Sequence, residues 1–241
     1  MTLAPSASVT SCPVLYDAHG LLAVDKPEGV LSHPNPGTAK ARSAFEGAYD
    51  FEERSFETSR GKIWLIHRLD QDTSGVLLAA REKSAARACR ELFETGEVRK
   101  IYDALVAGKV LPGQGRWNDK IGVAKQKGRV RSRVLGGPPN AKLKYRVMRF
   151  FPRHALSLLE IELITGKTHQ VRVQAAARRW PVAGDEIYGH FELNKKLRSQ
   201  VGLRRLFLHA KGLELKLPGT GSVRIESPLP EKLRGVLDVL S

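Results

Sequence analysis

Short apolar runs separated by turn residues dominate the chain, and most read as strands rather than helices. Residues 14–17 and 21–25 (Val-Leu-Tyr-Asp and Leu-Leu-Ala-Val-Asp) flank Ala18-His19-Gly20, a strand–turn–strand pattern. Lys26-Pro27-Glu28-Gly29 then breaks the second strand, because proline removes a backbone donor and glycine permits a tight turn. Further along, 63–66 and 75–80 are apolar and β-prone, and they bracket the polar centre His67-Arg68-Leu69-Asp70-Gln71-Asp72-Thr73-Ser74. That pattern predicts a buried strand, a connecting loop and a second buried strand. Ser84 is positioned as the N-cap of a helix over 85–93 that Gly96 ends. Residues 99–107 alternate as a strand, with Tyr102, Ala104 and Val106 on one face.

The second half continues in the same manner. Residues 155–164 form another strand pattern, and Thr168 can cap a helix that runs to Arg179 or Trp180 before Pro181 halts it. Residues 206–210, 213–217 and 223–225 read as closing strands, and 231–240 as a terminal helix. Residues 34–62 are polar and rich in turns; Phe45, Tyr49 and Phe56 are expected to anchor a short helix there. The Ala/Ser/Thr/Pro-rich start, 1–13, is expected to be a loose tail, leaving 14–241 as one domain. No internal repeat of fixed period is present.

Composition narrows the class. A chain of 241 residues, 41% hydrophobic and 27% charged, has ample core for one large domain or two small ones. The net charge of +15 sets it apart, because such an excess of Lys and Arg suits a polyanionic partner, nucleic acid before a membrane surface. The excess is uneven: residues 120–153 hold eleven Lys or Arg and no Asp or Glu. With Gly128, Gly136, Gly137, Pro138 and Pro139 among them, Lys125, Lys127, Arg129, Arg131 and Arg133 read as a mobile hairpin or loop over a phosphate backbone. Aromatic residues do not interleave these cations, so phosphate contact is expected rather than sequence selection. Cys12 and Cys89 are too few for a disulfide framework and lack metal spacing, and the seven His are dispersed. No apolar run approaches a membrane span and no secretion signal opens the chain, so the expectation is a cytoplasmic protein.

Two stretches carry candidate chemistry. The loop at 67–75 holds an imidazole, a guanidinium and two carboxylates between rigid segments, a placement suited to a reactive group. An aspartate in such a loop commonly closes a turn, and Asp72-Thr73-Ser74-Gly75 could do only that. Thr165-Gly166-Lys167-Thr168 imitates the end of a phosphate-binding P-loop, but the glycine required five residues earlier is Ile161, which excludes that reading. Arg172 falls in the first turns of the expected helix, where its charge opposes the helix dipole; a carboxylate partner would account for it.

His67-Arg68-Leu69-Asp70-x-x-Thr73-Ser74-Gly75 resembles the signature of the RluA-type family of RNA pseudouridine synthases. The strand running into Lys26-Pro27-x-Gly29 resembles the family's opening, Lys100-x-Tyr102 its second motif, and 165–173 (Thr-Gly-Lys-Thr-His-Gln-Val-Arg-Val) its third. Gly184-Asp185-x-x-Tyr188-Gly189 and 206–210 resemble further landmarks, so the likeness covers roughly 14–235. Lys167 stands where Arg is common and Gln174 where His is common, departures that bear on substrate contacts.

The resemblance implies an α+β pseudouridine synthase fold: a long mixed, mostly antiparallel sheet with flanking helices and a central catalytic cleft. It implies conversion of uridine in RNA to its C-glycoside isomer with no cofactor, metal or nucleotide. By it Asp70 is the catalytic carboxylate, Arg172 its partner, and Tyr102 the ring that stacks on the uracil. Whether Asp70 adds covalently or removes a proton to give a glycal stays open. Extruding a stacked uridine costs a few kcal/mol, and Arg68 is the candidate to fill the gap or hold the displaced phosphate, with His67 orienting the loop. The family's frequent S4 domain is not expected, since thirteen residues precede Val14. RNA affinity is then expected from the catalytic domain itself, in a monomer without an obligatory protein partner. Ribosomal and transfer RNA both remain open, with ribosomal RNA slightly favoured. Two other classes stay in view: an RNA-binding protein that keeps the fold without activity, and a hydrolase using Asp70 and Asp72 as an acid/base pair.

Overall fold

The computed structural model describes residues 10–35, 42–126, 129–217, 219 and 221–241, and at 124–126 and 129–130 the backbone alone. In chain order the elements are β1 (Val14–Ala18), β2 (Leu21–Lys26), β3 (Ala48–Asp50), β4 (Ser55–Thr58), β5 (Gly61–Leu65), β6 (Ser74–Ala80), α1 (Lys83–Thr95) and β7 (Arg99–Ala107). There follow β8 (Gln114–Gln126), β9 (Arg129–Leu135), β10 (Ala141–Phe151), β11 (Leu156–Leu163), α2 (Gln170–Ala177), α3 (Phe191–Val201), β12 (Leu208–Leu217), β13 (Gly221–Glu226) and α4 (Glu231–Leu240). The architecture is α+β. The chain divides into two compact units, one of residues 1–98 and 213–227, the other of 99–212 and 228–241.

In the first unit the order β3-β4-β5-β6 continues through β2 to β1. The pairs β1–β2, β2–β6, β3–β4, β4–β5 and β5–β6 are antiparallel. His19 and Gly20 both take positive φ, 54° and 70°, the backbone twist that suits a tight hairpin between β1 and β2. All seven residues of β6 are buried. Its Val76, Leu78 and Ala80 join Leu21, Ala23, Ile66 and the α1 residues Ala86 and Cys89 in one core, completed by Leu213, Leu215, Val223 and Ile225. The polar loop at 67–73 therefore springs from the most buried strand of the unit.

Several expectations need correction here. Residues 48–50 and 55–58 are strands, not part of a helix. Tyr49 lies opposite Phe56 in register with ring centroids 4.8 Å apart, and Phe45 packs on Phe56 at 5.5 Å. Aromatic rings gain more from such cross-strand contacts than a short, capless helix would give them. The helix after β6 begins at Lys83, with Glu82 rather than Ser84 at its N-cap; Gly96 ends it in the left-handed conformation as expected. Of the expected tail, 1–9 lie outside the described residues, and Thr10 is tied in. Its Oγ1 donates to the Ala44 carbonyl at 2.5 Å and accepts from the Cys12 N–H at 3.0 Å.

The second unit orders its strands β7-β11-β10-β8-β9, and every one of those pairs is antiparallel. Tyr102 faces Ile161 across β7 and β11. The basic segment is a β8–β9 hairpin from Lys120↔Leu135 to Gln126↔Arg129, while 141–151 is a strand, its register shifted between Val147 and Arg149, rather than part of a loop. Leu105, Leu156, Phe207 and Ala183 pack with Leu197 and Val201 of α3 and Leu233, Val236 and Leu240 of α4. The third-motif helix is shorter than expected, Gln170–Ala177. It has His169, not Thr168, at its N-cap, and Arg179 at φ 61° turns the chain before Trp180. Residues 208–217 form one continuous strand through Gly212 instead of two.

Truncating Leu78, which is fully buried in the first core, leaves a cavity under the site loop. Leu78→Ala is expected to lower unfolding free energy by about 2–5 kcal/mol, read by urea titration.

Candidate active site

Asp70 sits in a loop whose backbone is fastened on both sides of it. Ser32 Oγ accepts the Leu69 N–H at 2.9 Å and donates to the Leu69 carbonyl at 2.9 Å. On the other side, the Gln71 carbonyl accepts the Gly29 N–H at 2.9 Å and the Lys26 ammonium at 3.0 Å. The Gln71 side chain returns a bond to the Gly29 carbonyl at 3.0 Å. Thr73 N–H closes a turn onto the Asp70 carbonyl at 3.1 Å. With residues 69 and 71 held, the half-buried side chain at 70 has a defined origin and direction.

Lys26 is the unexpected member of this arrangement. It is fully buried, yet its Nζ donates to the carbonyls of Pro27, Val30 and Gln71 at 2.9, 2.8 and 3.0 Å. A buried ammonium is tolerated only when its donors find acceptors, and three carbonyls suit its three N–H bonds. The turn Lys26-Pro27-Glu28-Gly29 thus shapes those carbonyls around the cation at the base of the loop that carries Asp70. Sequence reading recognises the turn and misses this function of its lysine and of Ser32.

His67 and Arg68 differ in character. His67 Nε2 accepts the Leu78 N–H at 3.0 Å, and its ring stacks on Phe93 at 4.9 Å, so the imidazole braces the start of the loop against β6 and α1. Arg68 is exposed, and its charge acts on Tyr49. Burial raises the Tyr49 pKa, opposed by Arg54, Arg90 and Arg68.

Tyr102 and Arg172 belong to the second unit, as do Arg131 and Arg133. Tyr102 is buried on β7 beside Lys100, whose Nζ donates to the Ile164 carbonyl at 3.3 Å and whose pKa is lowered by burial. Arg172 is buried on α2, and the carboxylate it meets in its own unit is Asp185. The pair is bidentate, Nε–Oδ2 at 2.7 Å and Nη2–Oδ1 at 2.9 Å. Asp185 Oδ1 also accepts the backbone N–H groups of Ile187 and Tyr188 at 2.8 and 2.9 Å. Burial pushes the Asp185 carboxyl up, but the Arg172 guanidinium and those two amides outweigh it and hold its pKa below the ordinary value. The Tyr188 ring lies 5.4 Å from the Arg172 guanidinium carbon, and its hydroxyl is 2.9 Å from His169 Nδ1. Asp185 lies in the Gly184-Asp185-x-x-Tyr188-Gly189 landmark, which by itself reads only as a turn.

On the basic hairpin, Arg131 donates to the Ile187 carbonyl at 3.3 Å and Arg133 is exposed. Of the other cations expected there, Lys127 lies outside the described residues, and Lys125 and Arg129 are described as backbone alone, paired near the hairpin tip.

A family profile described as RNA pseudouridylate synthase matches residues 20–177, a span that includes Asp70, Tyr102 and Arg172. The chain belongs to this family. Ribosomal large subunit pseudouridine synthase C of Salmonella typhi is 34% identical over 239 residues, covering 94% of this chain and 69% of the relative. An RNA pseudouridine synthase of Bacillus subtilis is 32% identical over 224 residues, covering 92% and 70%. Among solved structures, human RNA pseudouridylate synthase domain containing 4 superposes with a TM-score of 0.70 at 25% identity, covering 94% of this chain and 92% of that one. The chain thus carries the pseudouridine synthase fold and belongs to a family of RNA isomerases. Among the described residues, no helix is long and apolar enough to cross a membrane.

Because the Asp185 pKa is depressed on folding, its contribution to stability is present above the unfolded value near 3.8 and is lost as pH falls through the lower folded value. Near neutral pH, Asp185→Asn should therefore be less stable than the unsubstituted protein by about 3 kcal/mol, and the gap should narrow below pH ~3.8. Urea unfolding of both proteins along a pH series measures it; a gap that stays constant into acid would contradict the assignment.

Proposed function

We propose that this chain isomerises a uridine in ribosomal or transfer RNA to pseudouridine, with Asp70 as the catalytic carboxylate. The observation that carries the reading is the string His67-Arg68-Leu69-Asp70-x-x-Thr73-Ser74-Gly75, inside the matched span and on a loop fastened at residues 69 and 71. The reaction breaks the bond from N1 to C1′, turns the base, and rejoins C1′ to C5. The proton on C5 departs and N1 gains one, so nothing else is consumed. A carboxylate can serve either as a nucleophile or as a base in this sequence.

Tyr102 stacks on the uracil and keeps water from the reacting atoms while the base rotates. Arg172 serves as the guanidinium partner of Asp70, and Asp185 holds it through two of its nitrogens. Asp185 is then the group that orients Arg172. Arg68 occupies the gap left when the uridine is extruded, or holds its phosphate, while His67 orients the loop. The basic hairpin with Lys125, Lys127, Arg129, Arg131 and Arg133 tracks the phosphate backbone. Residues 14–241 act as one catalytic domain, a cytoplasmic monomer. Relatives named for the large ribosomal subunit favour ribosomal RNA as the substrate.

Pseudouridine mapping of total RNA from cells with and without the protein tests activity and substrate together. Loss of at least one modified site, restored by the unsubstituted gene and not by Asp70→Asn, is the expected result; an unchanged map would remove the reading. A hydrolase would instead release free base. Arg133→Gln should weaken RNA binding and reduce the slope of log K against log salt by roughly 0.7–0.9 for a lost phosphate contact, measured by anisotropy titration.

A further inference from the structure

The loop that holds Asp185 runs into α3, and together they line a cavity of about 610 Å³. That is within the range of small-molecule and nucleotide sites, roughly 300–1,000 Å³. Phe191, the first residue of α3, stands at its edge with 77% of its surface exposed. Lys195 and Arg198 follow at spacings of four and seven residues, which places all three on one face of the helix. Both cations line the cavity and are exposed. An isolated surface phenylalanine is ordinary. This one shares its cavity with two cations, and its support is built with unusual care.

Asn194 Oδ1 accepts the Gly184 N–H at 2.9 Å, and its Nδ2 donates to the Asp185 carbonyl at 2.9 Å. A Cβ at Gly189 would come within 2.0 Å of the Asp185 carbonyl oxygen, and one at Gly184 within 1.9 Å of the Arg205 carbonyl oxygen. Both positions must therefore remain glycine for the loop to keep these close approaches to the Asp185 and Arg205 carbonyls. The electrostatics favour an anion. Arg172 neutralises Asp185, Arg198 lies 3.8 Å from Glu186, and Lys195 has no ion pair among the described residues. From another side, Arg131 of the basic hairpin reaches the Ile187 carbonyl of this same loop.

We propose that Phe191, Lys195 and Arg198 form a subsite for a nucleotide of the substrate RNA other than the isomerised uridine. Its base stacks on the Phe191 ring and its phosphate lies between the two cations; the inference rests on the RNA-modifying reading above. Stacking on an aromatic face accepts every base, so the subsite holds the strand without selecting sequence.

The test uses the full chain, a fluorescent single-stranded RNA dodecamer of mixed sequence for binding, and total RNA from cells lacking the protein for activity. Phe191→Ala should weaken dodecamer binding about tenfold, with a rise in apparent KM larger than any fall in kcat, and Phe191→Tyr should restore both. The ring is exposed, so thermal melting of Phe191→Ala should be unchanged. Lys195→Gln with Arg198→Gln should lower the salt slope by about 0.7–1.4, for one or two lost phosphate contacts on a single strand. Wild-type activity together with unchanged affinity of Phe191→Ala would overturn the subsite alone. Absence of pseudouridine formation by the wild-type protein would overturn the functional reading and the subsite with it.

Discussion

A single buried ammonium organises the first unit. Lys26 has no exposed surface, and its three short bonds to carbonyls join the end of β2, the following turn and the loop that carries Asp70. Removing a charge of this kind from water is costly, and only a complete set of acceptors makes it tolerable. The turn is therefore constrained to present Pro27 and Val30 carbonyls inward, and the loop is constrained to present that of Gln71. Ser32 fixes Leu69 with a reciprocal pair of bonds. The backbone on both sides of Asp70 is thus fixed by these contacts.

The second unit solves a similar problem with opposite charges. Arg172 opposes the dipole of α2, and Asp185 supplies the compensating carboxylate in fork-to-fork geometry. Asp185 is itself tied to two amides of its loop, and Asn194 ties that loop to α3. A guanidinium held this firmly presents a fixed charge.

How much of this the sequence reveals depends on whether the signal is local. The strands at 99–107 and 156–163, the left-handed end of α1 at Gly96 and the terminal helix are legible because periodicity and caps lie within each segment. The loop at 67–75 is legible because its residues are consecutive. Tyr49 and Phe56 mislead, since their spacing is compatible with a helix while their contact is across two strands. Gln170 explains the missing Thr168 cap: its side-chain oxygen takes the Lys167 N–H at 3.0 Å and the Thr165 hydroxyl at 2.7 Å, closing the entry to α2 from inside. The role of Asp185 is invisible locally, because its partner lies thirteen residues back on another element. Helix α3 escapes notice for a related reason: its apolar residues are sparse, and what defines it is the exposed ring and the cations of its outer face.

The interleaving of the two units has a consequence for biosynthesis. The first core needs Leu213, Leu215, Val223 and Ile225, which emerge from the ribosome only after 99–212 have been made. The second core needs Leu233, Val236 and Leu240 from the last helix. Neither half can therefore mature as an autonomous unit while the chain is growing, and the contacts that seal each join residues far apart in sequence, the kind that form slowly. Nascent chains would carry two unsealed apolar surfaces until residues 213–240 have been made, so that segment acts as a common latch.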